Sequence, residues 1–559
     1  MPKFDEEKTK KKFEELREKE AEDLAKILAQ KYGLPYLDLS RMTIDLDSLK
    51  IISEAEAREG QMAVFQSVGK KLQVAVKNPE SLKTKEILEE LRQKRFEPEL
   101  FLVSESSLEK AFSRYREVPA FVEVSSGIID ISPERLEGFR QKIKSISAMR
   151  GLLKEVPAGR ETRKISEVLE LILAGALELE TSDVHIEPGE TSAKLRYRLD
   201  GVLADLAPVG IKAYQLLLSR LKLVSELKLN VKDQAQDGRF TIRTKETDIE
   251  VRTSILPGPY GESVVLRILN PKTIALGFED LGIEPNLLEE LAKELKKPNG
   301  MILTTGPTGS GKTTTLYAFV KKILSSEIKI VTIEDPIEYH IPGITQTQAD
   351  PQKGYDFASG LRSILRQDPD IILVGEIRDL QTAETAMHAA LTGHLVFSTL
   401  HTNDAAGTVP RLIDLGVKPN IIAPATNVAI AQRLVRKVCS ACVKKEKPNA
   451  AELNLIETEL NSLPPKYKNK KHDLKNILIP RAGGCERCNE TGYKGRVGVF
   501  EALFVSDEIE RLIMRDPSEV AIREAEQKQG MLSMKQDGIL KMLAGITTLE
   551  ELTRVVGES

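Results

Sequence analysis

The sequence predicts an α/β protein whose main domain is built on a parallel sheet, and two observations carry this prediction. First, apolar runs typical of buried strands alternate with helical patterns from about 276 to 435. Such alternation places parallel strands in one sheet, with helices on its faces. Second, the apolar run Met301–Thr305 leads through a glycine-rich turn into a helical pattern that begins near Thr313.

Length and composition set the scale of the molecule. The chain has 559 residues, which at roughly 100–200 residues per domain predicts three to five domains. Its net charge of −3 does not favour nucleic acid as a partner. No apolar run approaches the ~18 residues of a membrane span, and the charged N-terminus lacks the apolar segment of a secretory signal. We therefore expect a cytoplasmic protein that reaches a membrane only through partners.

Changes in pattern along the chain predict six segments. They are an N-terminal α/β domain at 1–115, a linker or connecting helical segment at 116–163, a second α/β domain at 164–275, the main α/β domain at 276–435, a cysteine-containing module at 436–500 and a helical C-terminal region at 501–559. An amphipathic helix over 1–30 has Leu24, Ile27 and Leu28 on its apolar face. In the second domain, a helix over 165–179 precedes strands at 184–186, 193–198, 239–243 and 264–269.

The glycine-rich turn fits the phosphate-binding pattern G-x-x-x-x-G-K-[ST] at every position. Glycines let backbone N–H groups wrap phosphates, and the following helix N-terminus favours anions. Lys312 is expected to reach the β- and γ-phosphates of ATP, and the Thr313 hydroxyl is placed for Mg²⁺. The predicted nucleotide-binding residues are Gly306, Pro307, Thr308, Gly309, Ser310, Gly311, Lys312, Thr313, Thr314 and Glu334.

Carboxylates follow two other apolar strands, at the sheet edge where parallel strands present ligand crevices. One cluster runs from Glu334 to Glu338, and the other contains Glu376. Each cluster can hold Mg²⁺ through water or polarise an attacking water, although strand-end carboxylates can also be plain caps. His394 and His401 bracket a third strand, and their position favours a phosphate-sensing role over the structural role that is commoner for a single histidine.

All four cysteines of the chain lie in two Cys-x-x-Cys pairs, Cys439 with Cys442 and Cys485 with Cys488. Two such pairs can close a tetrahedral thiolate site, which favours a structural Zn²⁺. The alternative is four unrelated buried cysteines. The long separation of the pairs predicts that the Lys-rich insert between them loops out.

Taken together, these motifs resemble the secretion ATPase superfamily, and within it the type IV pilus assembly and type II secretion ATPases. The resemblance rests on a Walker A loop at 306–313, an Asp box at 332–339, a Walker B segment at 365–379 and a His box at 392–403. Upstream, segments 182–188, 196–201, 236–239 and 252–257 resemble the second N-terminal domain of that family. The resemblance implies a RecA-like P-loop NTPase core, a PAS-like α/β second domain and a hexameric ring.

The same resemblance assigns roles to individual residues. Glu338 would activate the attacking water, Glu376 would support Mg²⁺ and the γ-phosphate, and His401 would sense the phosphate. Arginines of the second domain would complete the site, with Arg196, Arg198, Arg220 and Arg239 as candidates, although a surface ion pair is equally expected of each. The cysteine pairs match the zinc-binding insert of the assembly and type II ATPases.

Partners and rival functions follow from the same reading. The segment 22–40 resembles the family's N-terminal domain, which docks to an inner-membrane platform protein of a pilus or secretion machine. Some relatives bind cyclic di-GMP there through a signature that 1–60 lacks, and regulation by that nucleotide stays open. Pilus assembly is the first expectation and type II secretion the alternative. A nucleic-acid motor and a nucleotide-gated scaffold with little turnover are weaker rivals.

Overall fold

The computed structural model describes residues 20–39, 42, 44–49, 51–68, 70–93, 96–115, 127–131, 133–155, 162–245, 247–271, 276–468 and 476–557. The chain divides into two compact units. The N-terminal unit comprises 1–124 and 161–163, and the main unit comprises 125–160 and 164–559. Among the described residues, no helix has the length and apolar character needed to cross a membrane.

The N-terminal unit is a small three-stranded sheet with helices packed on it, as the α/β pattern predicts. Its strands are β1 (Met62–Val68), β2 (Lys71–Val76) and β3 (Glu97–Leu102), and its helices are 20–32, Leu46–Leu49, Glu54–Glu59, Leu82–Gln93 and Glu105–Arg114. β1 and β2 pair antiparallel, whereas β2 and β3 pair parallel across the helix that connects them.

The first described helix buries a face that differs in part from the predicted one. Leu24 and Ile27 are 57% and 65% exposed, whereas Ala25 and Ala29 are buried against Leu102 of β3. Leu28 of the predicted face does pack against this cluster, partly buried, so the helix contacts the strand through its alanines and Leu28, and Leu24 and Ile27 lie outside the contact. Residues 1–19 of the predicted helix lie outside the described residues.

The second domain, at 125–271, is a seven-stranded sheet. Its strands are β4 (Ile128–Asp130), β5 (Asp183–Pro188), β6 (Ser192–Leu199), β7 (Val202–Gly210), β8 (Gln236–Arg243), β9 (Asp248–Gly258) and β10 (Gly261–Leu269), in the order β4-β8-β9-β10-β5-β6-β7. The helices are Pro133–Lys142, Ile146–Glu155, Thr162–Glu178 and Ile211–Val224. Neighbouring strands are antiparallel except β4 and β8, which are parallel.

The segment 116–163, expected to be a linker or connecting helical segment, contains part of this sheet. β4 pairs with β8 through Ile128–Thr241, Ile129–Ile242 and Asp130–Arg243, and two helices follow it before 156. Residues 125–160 also cluster with the main unit. The strand at 128–130 differs from a plain linker, whereas the helices at 133–142 and 146–155 agree with the alternative of a connecting helical segment. A three-residue edge strand has no periodicity of its own, and only its pairing with a strand over a hundred residues later defines it.

The core domain, from 276 onward, contains the predicted parallel sheet. Its strands are β11 (Gly300–Thr305), β12 (Ile330–Glu334), β13 (Thr345–Gln348), β14 (Ile371–Val374), β15 (Leu395–Leu400), β16 (Thr426–Val438) and β19 (Tyr493–Phe504), in the order β13-β12-β14-β15-β11-β16-β19. All neighbours are parallel except β16 and β19. The helices are Pro285–Glu294, Lys312–Ile323, Phe357–Ile364, Leu380–Leu391, Thr408–Asp414 and Pro419–Ala425.

The apolar composition of the central strands explains this sheet. Every residue of β11, β12, β14 and β15 is buried. Two apolar clusters cover the two faces: Met301 and Leu303 belong to one cluster, and Ile302 to the other. Continuous apolar strands are expected in a parallel sheet that helices cover on both sides. The C-terminal ends of β11, β12, β14 and β15 meet at one edge.

The cysteine-containing module is an insertion between the last two strands of the core sheet. It holds β17 (Lys444–Glu446) paired antiparallel with β18 (Ile479–Arg481), and the helix Ala450–Asn461. β19 then returns along β16, and the helices Asp507–Arg515, Glu519–Lys528, Met534–Leu543 and Leu549–Val556 complete the chain. The segment 469–475 of the Lys-rich insert lies outside the described residues.

Candidate active site and metal centre

The phosphate-binding turn stands between β11 and the helix Lys312–Ile323, as predicted. Gly306, Gly309 and Gly311 have φ angles of 146°, 79° and 90°, a region that side chains disfavour. A Cβ atom at Gly306 would lie 2.6 Å from the Gln432 carbonyl oxygen. The glycines are therefore required both for the backbone path and for its close approach to β16.

Lys312 folds back over the turn that precedes it. Its Nζ donates to the carbonyl oxygens of Gly306 (2.7 Å) and Pro307 (3.1 Å). Burial lowers the pKa of Lys312 to about 8, while the nearby Glu376 carboxylate opposes this change. The ammonium group is thus held at the centre of the turn, where phosphate oxygens would replace the carbonyl contacts.

Glu376 and His401 meet beside this lysine, as the two acidic motifs and the His box predict. His401 Nε2 lies 3.4 Å from Glu376 Oε2, and Arg378 pairs with the other carboxylate oxygen. His394 stands at the opposite end of β15, where its Nδ1 is 3.0 Å from the Ala389 carbonyl oxygen. Of the two bracketing histidines, His401 lies beside Glu376 and His394 does not.

Glu338 lies on the loop between β12 and β13 and contacts an arginine of the second domain. Arg252 Nη1 is 3.2 Å from Glu338 Oε2, and its Nη2 donates to the Ile337 carbonyl oxygen at 2.7 Å. Burial raises the pKa of Glu338, and the charges of Arg252 and Arg267 oppose that rise. A carboxylate with a raised pKa at a phosphate site is suited to accept a proton from water.

Glu334, expected to bind the nucleotide, is engaged by protein groups instead. It is 3% exposed, and Thr332 Oγ1 and Gln346 Nε2 donate to its Oε1 at 2.6 and 3.1 Å. The Tyr317 hydroxyl donates to its Oε2. In this structure the carboxylate therefore links the helix Lys312–Ile323, β12 and β13 beside the site.

The four predicted arginines make other contacts within this chain. Arg196 pairs with Glu187 at 2.5 Å, and Arg198 lies 3.3 Å from Asp183. Burial lowers the pKa of Arg220, and Glu170 opposes this. Arg239 stands directly opposite Arg252 on the neighbouring strand. The ion pairs of Arg196 and Arg198 are made within their own domain, so the catalytic roles of these arginines stay predictions.

Strand register reveals an arginine row that the sequence does not display. Across β8, β9, β10, β5 and β6, the directly opposed residues are Arg239, Arg252, Arg267, Asp183 and Arg198. Opposed residues share one face of a sheet, and like charges in that position are destabilising. One Asp among four arginines leaves a net positive row, and Arg252 connects it to the Asp-box loop.

Sequence reasoning missed two arginines at the site. Arg252 stands inside the quoted segment 252–257, so the resemblance could have identified it. Arg433, on β16, donates from Nη2 to the Asn403 carbonyl oxygen at 2.9 Å. A Cβ atom at Gly306 would lie 3.1 Å from Arg433 Nη1, which places this guanidinium against the phosphate-binding turn. No local signal marks Arg433, because a parallel pairing brings it there.

The four cysteines converge as the spacing predicts. Cys439 Sγ is 3.8 Å from Cys485 Sγ, Cys442 Sγ is 3.7 Å from Cys488 Sγ, and all four sulfurs lie within 4.8 Å of one another. A tetrahedral Zn²⁺ with Zn–S bonds of about 2.3 Å requires sulfur separations of about 3.8 Å. The residues present therefore fit zinc closely.

A glycine allows the two cysteine pairs to approach each other, and backbone amides donate hydrogen bonds to one of the sulfurs. A Cβ atom at Gly483 would lie 2.2 Å from the Cys442 carbonyl oxygen, so the two knuckles can approach only without a side chain there. The amides of Cys485 and Gly492 donate to Cys488 Sγ at 3.3 and 3.2 Å. Such donors stabilise thiolate ligands around a metal.

Comparison with known proteins gives the chain its family. The family described as Type II/IV secretion system protein matches residues 159–554, and the MshEN domain matches 32–120. The type IV pilus assembly ATPase PilB of Myxococcus xanthus is 35% identical over 95% of this chain and 91% of its own length. The type II secretion system protein E of Xanthomonas campestris is 42% identical over 76% of this chain and 72% of its own length.

A solved structure agrees at the level of fold. The Legionella pneumophila ATPase DotB superposes with a TM-score of 0.50 at 22% identity, covering 69% of this chain and 95% of DotB. The matched family spans the second domain, the phosphate-binding turn and the cysteine module. The chain is therefore a member of the type II/IV secretion system protein family and an ATPase of that family.

Proposed function

We propose that this protein is the ATPase of a type IV pilus assembly machine. The observation that carries the proposal is the extent of the match to the Myxococcus pilus protein, which includes the N-terminal unit as well as the ATPase region. Type II secretion is the second candidate. It is favoured by the higher identity of the Xanthomonas protein, over a smaller share of the chain.

The proposed reaction is hydrolysis of the β–γ bond of ATP. Lys312 and the glycine backbone amides bind the phosphates, and Glu338 accepts a proton from the attacking water. Glu376 and His401 face the γ-phosphate position from β14 and β15. The Thr313 hydroxyl and Glu376 would hold Mg²⁺, which would supply positive charge to the phosphate oxygens.

The arginine row completes the site in this proposal. Guanidinium groups neutralise charge that develops on the transferred phosphoryl group, and such charge stabilisation is worth orders of magnitude in rate. Arg252 already reaches the Asp-box loop, and Arg433 reaches the phosphate-binding turn. Movement of the second domain would therefore carry the arginines toward or away from the nucleotide, which couples hydrolysis to motion.

The wider assembly follows from the family. We propose a homohexamer at the cytoplasmic face of the inner membrane, with the N-terminal unit docked to a membrane platform protein and no nucleic acid partner. The cysteine module would bind one structural Zn²⁺. The N-terminal unit is the proposed docking element because it lies outside the matched ATPase region.

Deletion of the gene in its own host tests the pilus proposal. The strain would be scored for surface pili and, separately, for secreted exoproteins, with plasmid copies encoding the wild-type chain or Glu338→Gln. Loss of pili that only the wild-type copy restores supports the proposal. Normal pili with failed exoprotein secretion would replace it with the type II candidate.

A further inference from the structure

A buried polar cluster connects the phosphate-binding helix to the Asp-box loop. Tyr317 lies five residues after Lys312 on the same helix and is fully buried. Its hydroxyl donates to Glu334 Oε2, and its ring packs edge-on against Tyr339, with centroids 4.7 Å apart. One side chain thus joins the element that binds phosphate to the strand that ends in the acidic motif.

Glu334 gathers contacts from three elements. Besides Tyr317, it accepts a bond from Thr332 of its own strand and one from Gln346 of β13. Gln346 Nε2 also donates to the Tyr339 carbonyl oxygen at 3.2 Å, and Gln346 Oε1 accepts from the Ile341 amide at 2.8 Å. The cluster therefore fixes both ends of the loop 335–341, which carries Glu338.

The backbone of Glu338 also influences the Tyr317 hydroxyl. Burial and the Glu334 carboxylate raise the pKa of the Tyr317 hydroxyl, and the backbone amide of Glu338 lowers it. The phenolic oxygen is therefore bonded to the Glu334 carboxylate and lies near enough to the Glu338 backbone to be affected by it. Arg252 holds the opposite side of the same loop through Ile337 and Glu338.

Burying polar groups in a cluster of this kind lowers the stability of the fold unless the groups satisfy one another. A buried carboxylate costs free energy unless donors satisfy it, and an apolar pair could fill the same space. Hydrogen bonds, unlike apolar contacts, are directional. The polar cluster therefore fixes both the angle and the distance of the loop relative to the helix. A misplacement of about 1 Å at a catalytic group can cost about 100-fold in rate.

We propose that Tyr317, acting with Glu334, is a positioning residue that sets the Glu338 carboxylate at a fixed place relative to the phosphate-binding turn. The inference rests on the proposed role of Glu338 as the base. It assigns Glu334 a role in positioning the loop in place of the nucleotide contact that the sequence predicts. Neither side chain touches the reacting atoms.

Tyr317→Phe tests the proposal because it removes one oxygen atom and keeps the ring. We expect kcat to fall about 10-fold or more, as positioning effects do, while KM for ATP and the Kd of a non-hydrolysable ATP analogue change less than about twofold. Tyr355→Phe is the matched control, because it removes a hydroxyl that accepts from Thr347 elsewhere in the same domain. The control should keep wild-type kcat.

A double mutant separates positioning from general damage. If Tyr317 acts through Glu338, adding Tyr317→Phe to Glu338→Gln should cause no further loss, since residues that act as a unit are not additive. An additive loss, an unchanged kcat in Tyr317→Phe, or a raised KM with unchanged kcat would each overturn the inference. Glu334→Gln gives a second variant should the phenylalanine fold poorly, and it too should lower kcat and leave KM unchanged.

The two hypotheses fail in different ways. Full activity in Glu338→Gln alone would refute the role of Glu338 as the base, whatever Tyr317 does. Lost activity in Glu338→Gln with wild-type kinetics in Tyr317→Phe would retain the proposed base and refute the positioning role.

Discussion

At the residue scale, the surroundings of Glu338 decide the chemistry. Burial raises its pKa, and the guanidinium of Arg252 limits that rise. A carboxylate made more basic by burial is better suited to take a proton from water, and the charge of Arg252 favours its ionised form. The sequence places Glu338 in a motif, but only the folded chain gives it this charge partner.

The first prediction concerns the pH dependence of hydrolysis. In Arg252→Gln the opposing charge is gone, so the pKa of Glu338 should rise further. Because the base works only when ionised, the acid limb of the kcat profile should move to higher pH. Steady-state rates across the acid limb measure this shift, with Arg243→Gln as the control on the neighbouring strand. An unmoved acid limb in Arg252→Gln would contradict the proposed pairing.

A second prediction at this scale concerns Lys312. Lys312→Ala should lower ATP turnover by about 100-fold or more, since a charge aimed at the transferring phosphate is lost. Lys293→Ala, an exposed lysine paired with Glu290, should leave turnover unchanged. Turnover assays on both variants make the comparison. Retained turnover in Lys312→Ala would refute the assignment of the phosphate-binding turn.

At the element scale, the packing of β8 against a helix end in the second domain depends on a close approach of two backbone segments. A Cβ atom at Gly238, on β8, would lie 2.3 Å from the Ser225 carbonyl oxygen at the end of the helix Ile211–Val224. Backbone cannot move aside as a flexible side chain can. The strand and the helix end therefore meet only because position 238 carries no side chain.

Gly238→Ala should accordingly destabilise the second domain, by about 1–3 kcal/mol. Gly210→Ala is the control: it lies at the start of the same helix, with nothing within 4 Å of its Cβ position. Differential scanning calorimetry should show a lower Tm for the first variant and a Tm near wild type for the second. Equal melting temperatures of the two variants would show that β8 accommodates the added methyl group without loss of stability.

The cysteine module gives the other prediction at this scale. Purified protein should contain one zinc per chain, and Cys485→Ser should lose it and melt at lower temperature, because the metal closes a fold that spans a long insertion. Ser440→Ala, in the first knuckle, should keep both zinc and Tm. Elemental analysis and calorimetry are the measurements. A wild-type protein without metal would refute the zinc assignment.

At the scale of the whole molecule, the site draws on two domains. Arg252 of the second domain contacts the core-domain loop that carries Glu338, and the proposed ring would add contacts between subunits. Specific ATPase activity should therefore rise with protein concentration and vanish in Glu338→Gln. A constant specific activity over the range in which size-exclusion chromatography shows assembly would count against a ring motor.

The sequence by itself determined the features that lie within a few consecutive residues. The phosphate-binding turn, the two acidic strand ends and the cysteine pairs are local patterns, and the structure places each where the pattern predicts. The strands predicted at 184–186, 193–198, 239–243 and 264–269 are present as β5, β6, β8 and β10. β7 and β9 are not among the predicted strands: β7 has a single buried residue, Leu206, and β9 has charged and polar residues between its buried ones.

Only the tertiary structure decided which distant residues meet. The contact of Arg252 with Glu338, the arginine row, the approach of Arg433 to Gly306 and the bond from Tyr317 to Glu334 all depend on strand register and helix packing. A shift of one residue in register would turn each side chain to the opposite face of its sheet. Register is fixed by burial of the whole sheet, so no local segment of the sequence contains it.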